Sequence, residues 1–185
     1  MDTSAILNAL LSASSIQGIG QASGVGTDTV KSVLSAAVPK LLQGVSQQAN
    51  NAATAQGVTQ ALADHAKADT SNVASFLKGI DLGDGAKIIS HLLGSNATGE
   101  IAKEAGTSAA NAKSVLSAAA PLFMSLLGKQ TAGTSSNALG SLVSSALGNV
   151  NVASLVGSLL GGSGASNGNS GSSGGLLGKL TGLLK

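Results

Sequence analysis

The feature that most constrains this chain is an internal repeat. Lys31-Ser32-Val33-Leu34-Ser35-Ala36-Ala37 recurs unchanged as Lys113-Ser114-Val115-Leu116-Ser117-Ala118-Ala119, 82 residues further on. At the same offset Ile19 falls on Ile101, Gly24 on Gly106, Pro39 on Pro121 and Leu10-Leu11 on Leu92-Leu93; downstream, Asn72-Val73-Ala74-Ser75 reappears as Asn151-Val152-Ala153-Ser154 after a small slip. Two copies of about 80 residues are fewer than the three or more that a solenoid needs to bury a continuous core. The repeat therefore predicts one pseudo-symmetric assembly, with residues 1–80 as the first unit, residues 81–160 as the second, and a joint core between them.

Inside each unit the apolar spacing is helical. Val30, Val33, Leu34, Ala37, Leu41 and Val45 recur three or four apart, as do Ala112, Val115, Leu116, Ala119, Phe123, Leu126 and Leu127. Ser108 sits where an N-cap belongs, just after Gly106, where a preceding short helix would end; Gly24 and Thr27 are expected to serve in the same way in the first unit. Pro39 and Pro121 fall inside the long runs, and a mid-helix proline removes a ladder bond, so both helices are expected to kink or restart there. No segment alternates apolar and polar residues as a half-buried strand does. The fold class that follows is all-α: an internally duplicated helical bundle of short helices with a flexible Gly/Ser-rich C-terminal tail.

The material for a core is lean. There are two Phe and no Trp, Tyr or Cys among 185 residues, so Ala, Leu, Val and Ile must fill it around Phe76 and Phe123. At about 25 cal/mol per Å² such side chains each stabilise modestly, and several short helices locking together, or self-association, would compensate. Without Cys there is no disulfide, thiolate metal site or Cys nucleophile. Without Arg the chain lacks the side chain best suited to bidentate phosphate recognition.

Charge is distributed unevenly. Residues 1–104 hold all eight carboxylates and six Lys, and residues 105–185 hold four Lys and no acid. Four spread Lys form no concentrated patch, which argues against nucleic acid as a partner. Met1-Asp2-Thr3-Ser4 carries an acid where a secretory signal carries cations, so a cytoplasmic location is expected, with envelope association as the alternative. Residues 138–161 have the length of a membrane span, but Ser, Gly and the Asn149-Val150-Asn151 step interrupt them, and two short buried helices are the better reading. Residues 161–175, GGSGASNGNSGSSGG, have the composition of a flexible coil with a reach of roughly 20 Å. In residues 176–185 a helical wheel sets Leu176, Leu177, Leu180, Leu183 and Leu184 on one arc, with Lys179 and Lys185 facing away. Those seven residues are the candidate contact to a partner protein or a membrane surface.

Reactive motifs are sparse. Gly18, Gly20 and Gly24 miss the dinucleotide fingerprint by one position and follow no strand. Asp81 to Gly85 opens like a calcium loop, but the twelfth position is Leu92; Asp84 reads instead as the cap of a helix beginning near Ala86. Asp84 and His91 are the sharpest acid/base pair, at two turns' separation, about 10 Å along a helix axis and beyond hydrogen-bond reach. His65 reads as a cation at a helix C-terminus. Asn96-Ala97-Thr98 fits a glycosylation sequon and is expected to be an ordinary loop. No catalytic, cofactor-binding or metal-binding residue is assigned, no small-molecule substrate is evident, and the chain is expected not to be an enzyme.

The string Asp84-Gly85-Ala86-Lys87-Ile88-Ile89-Ser90-His91-Leu92-Leu93-Gly94, the Gly106 turn, and Ala120-Pro121-Leu122-Phe123-Met124-Ser125-Leu126-Leu127-Gly128-Lys129 together resemble the bacterial YidB-like family, domain of unknown function 937. Ala37-Val38-Pro39-Lys40-Leu41-Leu42 fits the same pattern in the first unit, so the resemblance covers roughly residues 1–130. It implies an all-helical bacterial protein and brings no activity, substrate or cofactor. Some relatives join such a domain to a peptidoglycan-binding module, which this chain does not contain. Two functional readings remain: a non-catalytic helical scaffold that associates with itself or another protein, and a membrane-surface or envelope-associated protein that docks through its Leu-rich end.

Overall fold

Small polar side chains divide the chain into helices. Ser12 accepts the Ser15 N–H at 3.3 Å, Asn72 the Ser75 N–H at 3.0 Å, Asp81 the Gly83 N–H at 2.7 Å, and Ser108 the Asn111 N–H at 3.1 Å. Each satisfies one of the donors that a helix start leaves unpaired. At the other ends, Gly24 and Gly106 take left-handed φ angles of 70° and 65°, which a side chain would disfavour. The computed structural model describes residues 3–94 and 96–149. In chain order these form α1 (Thr3–Leu10), α2 (Ala13–Ser23), α3 (Thr27–Asn50), α4 (Ala55–Ala66), α5 (Val73–Lys78), α6 (Leu82–Leu93), α7 (Ala97–Glu104), α8 (Ala109–Gln130) and α9 (Ser136–Asn149). Among the described residues every regular element is a helix, and the protein is all-α.

Four local expectations are corrected. α3 and α8 run unbroken through Pro39 and Pro121. Neither restarts, because the flanking turns are buried: Ala37, Val38 and Leu41 around Pro39, and Ala119, Ala120 and Leu122 around Pro121, are all at most 1% exposed. Burial of that extent outweighs the roughly 3 kcal/mol that an interior proline costs. The cap of α3 is Gly26 rather than Thr27, with no side-chain bond. α6 begins at Leu82 with Asp81 as its cap, so Asp84 lies inside the first turn instead of before it. Phe76 is only half-buried, which leaves Phe123, with no exposed surface, as the ring in the core.

α3 and α8 form the centre. α4 and α6 pack on α8, α9 packs on α3, α7 bridges α3 and α8, and α2 lies against α5 and α8. Val30, Val33, Leu34, Val115, Leu116 and Leu122 are fully buried among them. By length and composition α8 is apolar enough to cross a membrane, with a mean hydropathy of 1.2 over its most apolar window; 72% of that window is buried inside the bundle, as in the core helix of a packed domain. Of the uncharged stretch 138–161, the described part, residues 138–149, lies in α9. The segments 161–175 and 176–185 lie outside the described residues.

Close helix approach replaces bulk in this core. A Cβ on Gly85 of α6 would land on the Ser117 carbonyl of α8, and a Cβ on Gly128 of α8 would land on the Leu62 carbonyl of α4. The first contact has a further cause. Pro121 has no N–H to offer Ser117, four residues earlier, so that carbonyl is open to a neighbour, and a glycine lets the α6 backbone reach it.

Candidate functional site

α3, α4, α6 and α8 enclose a cleft of about 440 Å³. Its position follows from how the α3–α4 turn and the ends of α6 are fixed. After Asn50 the chain reverses in four residues: the Thr54 and Ala55 N–H groups both donate to the Asn51 carbonyl, and the Thr54 hydroxyl donates to the Gln48 carbonyl at 2.8 Å. At the end of α6 the Gln48 side-chain amide donates to the His91 carbonyl at 3.1 Å. That bond satisfies one of the acceptors a helix C-terminus leaves open and ties α6 to α3.

The floor is apolar, made by Val58 and Ala61 of α4, Ile88 and Leu92 of α6, and Met124 of α8, which is 2% exposed. The rim is polar. Lys87 and His91 stand one turn apart on α6, and Asp84, one turn before Lys87, faces His65 of α4. The His65 Nε2 lies 3.9 Å from the Asp84 Oδ2, an ion-pair distance when the imidazole is protonated and longer than a hydrogen bond. Both histidines of the chain line this cleft. On the outward face of α4, Asp64 accepts from Lys67 Nζ at 2.8 Å and from Gln60 at 3.1 Å, and these bonds hold its carboxyl below the usual carboxylate range.

Asp84 and His91 both line the cleft, but the group within ion-pair distance of Asp84 is His65. Nothing in the sequence pairs two residues on helices separated by α5 and its turns. His65 does lie in the last turn of α4, where a cation was expected, and Lys67 is the capping residue. A larger open trough of about 830 Å³ runs between α6, α7 and α8, lined mostly by small residues such as Ala86, Ser90, Gly99 and Ala110. One acid on its wall, Glu100, lies 4.0 Å from Lys40 of α3, which also pairs with Glu104 at 3.5 Å. Among the described residues no three His, Cys, Asp or Glu side chains group closely enough to hold a metal ion. The candidate contacts Leu176, Leu177, Lys179, Leu180, Leu183, Leu184 and Lys185 lie outside the described residues.

A family model described as a bacterial protein of unknown function, DUF937, matches residues 5–130. The chain belongs to the DUF937 family. The match runs from α1 to the end of α8, so every residue lining the cleft, from Gln48 to Met124, lies within the DUF937 region, and α9 lies beyond it. No curated protein and no solved structure matches the chain.

Proposed function

We propose that this DUF937 chain is a non-catalytic helical scaffold that works by association, with a second copy of itself or with another protein. The observation that carries this reading is reciprocal packing: α4 lies on α8, and α9 lies on α3. In sequence order α6, α7, α8 and α9 follow the repeat as counterparts of α1, α2, α3 and α4. Each unit's third helix is therefore covered by the fourth helix of the other unit. A unit completed by its own copy is an associating unit, and duplication has joined two of them in one chain.

The chemistry of the cleft supports binding over reaction. The Thr54 hydroxyl is committed to a backbone carbonyl, and the His65–Asp84 pair lacks the short, aligned hydrogen bond that an activating dyad uses. Light scattering of the full chain across a wide concentration range tests the proposal. Association that grows with concentration is expected; a monomer throughout, together with no partner in crosslinking, would overturn it. The membrane-surface reading rests on the amphipathic pattern of residues 176–185, and one short helix with five Leu is a marginal anchor. Equal pelleting with liposomes of chains with and without those ten residues would remove it.

A further inference from the structure

We infer that the cleft between α4 and α6 binds a small anionic amphiphile, a carboxylate on a medium-length apolar chain. This inference goes beyond the scaffold proposal and stands or falls separately from it. The cleft volume of about 440 Å³ lies within the roughly 300–1,000 Å³ typical of small-molecule sites. Its floor of Val58, Ala61, Ile88, Leu92 and Met124 offers an apolar chain the surface it prefers over water.

The rim supplies the sign of the head group. Of the charged groups that line the cleft, Asp84 is the acid, and it faces His65 across 3.9 Å. Lys87 has no ion-pair partner among the described residues, and His91 stands one turn from it on the same helix. α3 and α8 contribute Gln48 and Met124 to the lining and no charge. Lys87 is thus the cation without an ion-pair partner beside the apolar floor, and a carboxylate complements it.

Comparison of the two units gives the same direction. At the repeat offset, the floor residues Ile88 and Leu92 correspond to Ile6 and Leu10 of α1, apolar in both, whereas Lys87 and His91 correspond to Ala5 and Ala9. α9, the counterpart of α4, contains no charged residue and no His. A helix surface that served packing alone would need only what α1 has. Lys87 and His91 are an addition confined to the unit that holds the cleft. The wall bearing it is also held firmly: Gln48 fixes the His91 carbonyl, and α3 approaches α6 so closely at Gly44 that a Cβ there would meet the Leu92 carbonyl.

The chain has no Trp or Tyr, so an added probe can report without background from those residues. Fluorescence of dansylundecanoic acid, titrated with the full chain, should rise saturably at one site. Decanoate should displace the probe at least about tenfold more strongly than decyltrimethylammonium, the scale of one charge-assisted contact. In a Lys87→Ala/His91→Ala double variant that preference should vanish. Gly57→Phe should abolish binding, because Gly57 lines the cleft and a Cβ there meets nothing within 4 Å, so the ring has room to enter without disturbing the fold. Circular dichroism checks that both variants melt as the parent does, and if Gly57→Phe does not, the double variant decides the matter alone. Absence of saturable binding, equal displacement by the two amphiphiles, or an unchanged charge preference in the double variant would overturn the inference. So would a Gly57→Phe effect that proves to be loss of a homodimer, which would make the cleft a contact between copies.

Discussion

Gly85 shows how much a single missing side chain carries in this core. The Ser117 carbonyl that it faces is open because Pro121 cannot bond to it, so three residues from two helices fix one contact. Gly85→Val should therefore destabilise the protein by about 3 kcal/mol, read from denaturant unfolding, as overpacking against backbone does. Ser125 makes the opposite prediction. Its hydroxyl is fully buried with no hydrogen-bond partner among the described residues, so Ser125→Ala should raise stability by about 1 kcal/mol. On the surface, Asp64 is held below its ordinary value of 3.8, first by the Lys67 hydrogen bond and then by that from Gln60. A carboxyl lowered in the folded state stabilises the fold above its unfolded value, and that contribution fades as pH falls through the folded one. Asp64→Asn should thus lower the melting temperature slightly at neutral pH and leave it unchanged in strong acid. At this scale the cap of α8 was readable, since Ser108 after Gly106 is a local signal. The Gly85–Ser117 contact was not, because a glycine's function here depends on a carbonyl more than thirty residues away.

At the scale of the element, apolar spacing located the long helices well and their punctuation poorly. The runs around Val33 and Val115 became α3 and α8, as their period of three to four requires. Pro39 and Pro121 do not restart their helices, because the residues around them are buried. The start of α6 was displaced by choosing between two Asp residues in one short segment; Asp81 caps because its side chain reaches the Gly83 N–H. α9 offers the sharpest test of an element. Its Leu139 and Val143 are at most 1% exposed and the helix packs on α3. Leu139→Ala should cost about 3 kcal/mol, and backbone amide exchange should show the loss of protection in α3 as well as in α9.

For the whole molecule, the repeat predicts two related units with a joint core but not which helix covers which. Periodicity is local, and the choice between two side-by-side bundles and one exchanged core depends on which helix covers which, a matter of contacts distant in sequence. The same limit hid the cleft. His65 and Asp84 reach each other only because α4 and α6 both pack on α8. We propose that the two repeat-related units fold as one body through the reciprocal packing of α4 on α8 and α9 on α3. Native-state hydrogen exchange in rising denaturant tests it most directly. The slowest amides of α3, α4, α8 and α9 should share one opening free energy and converge on the same denaturant-dependent isotherm. Two separate isotherms, one for the helices of residues 3–80 and one for those of residues 81–149, would contradict it.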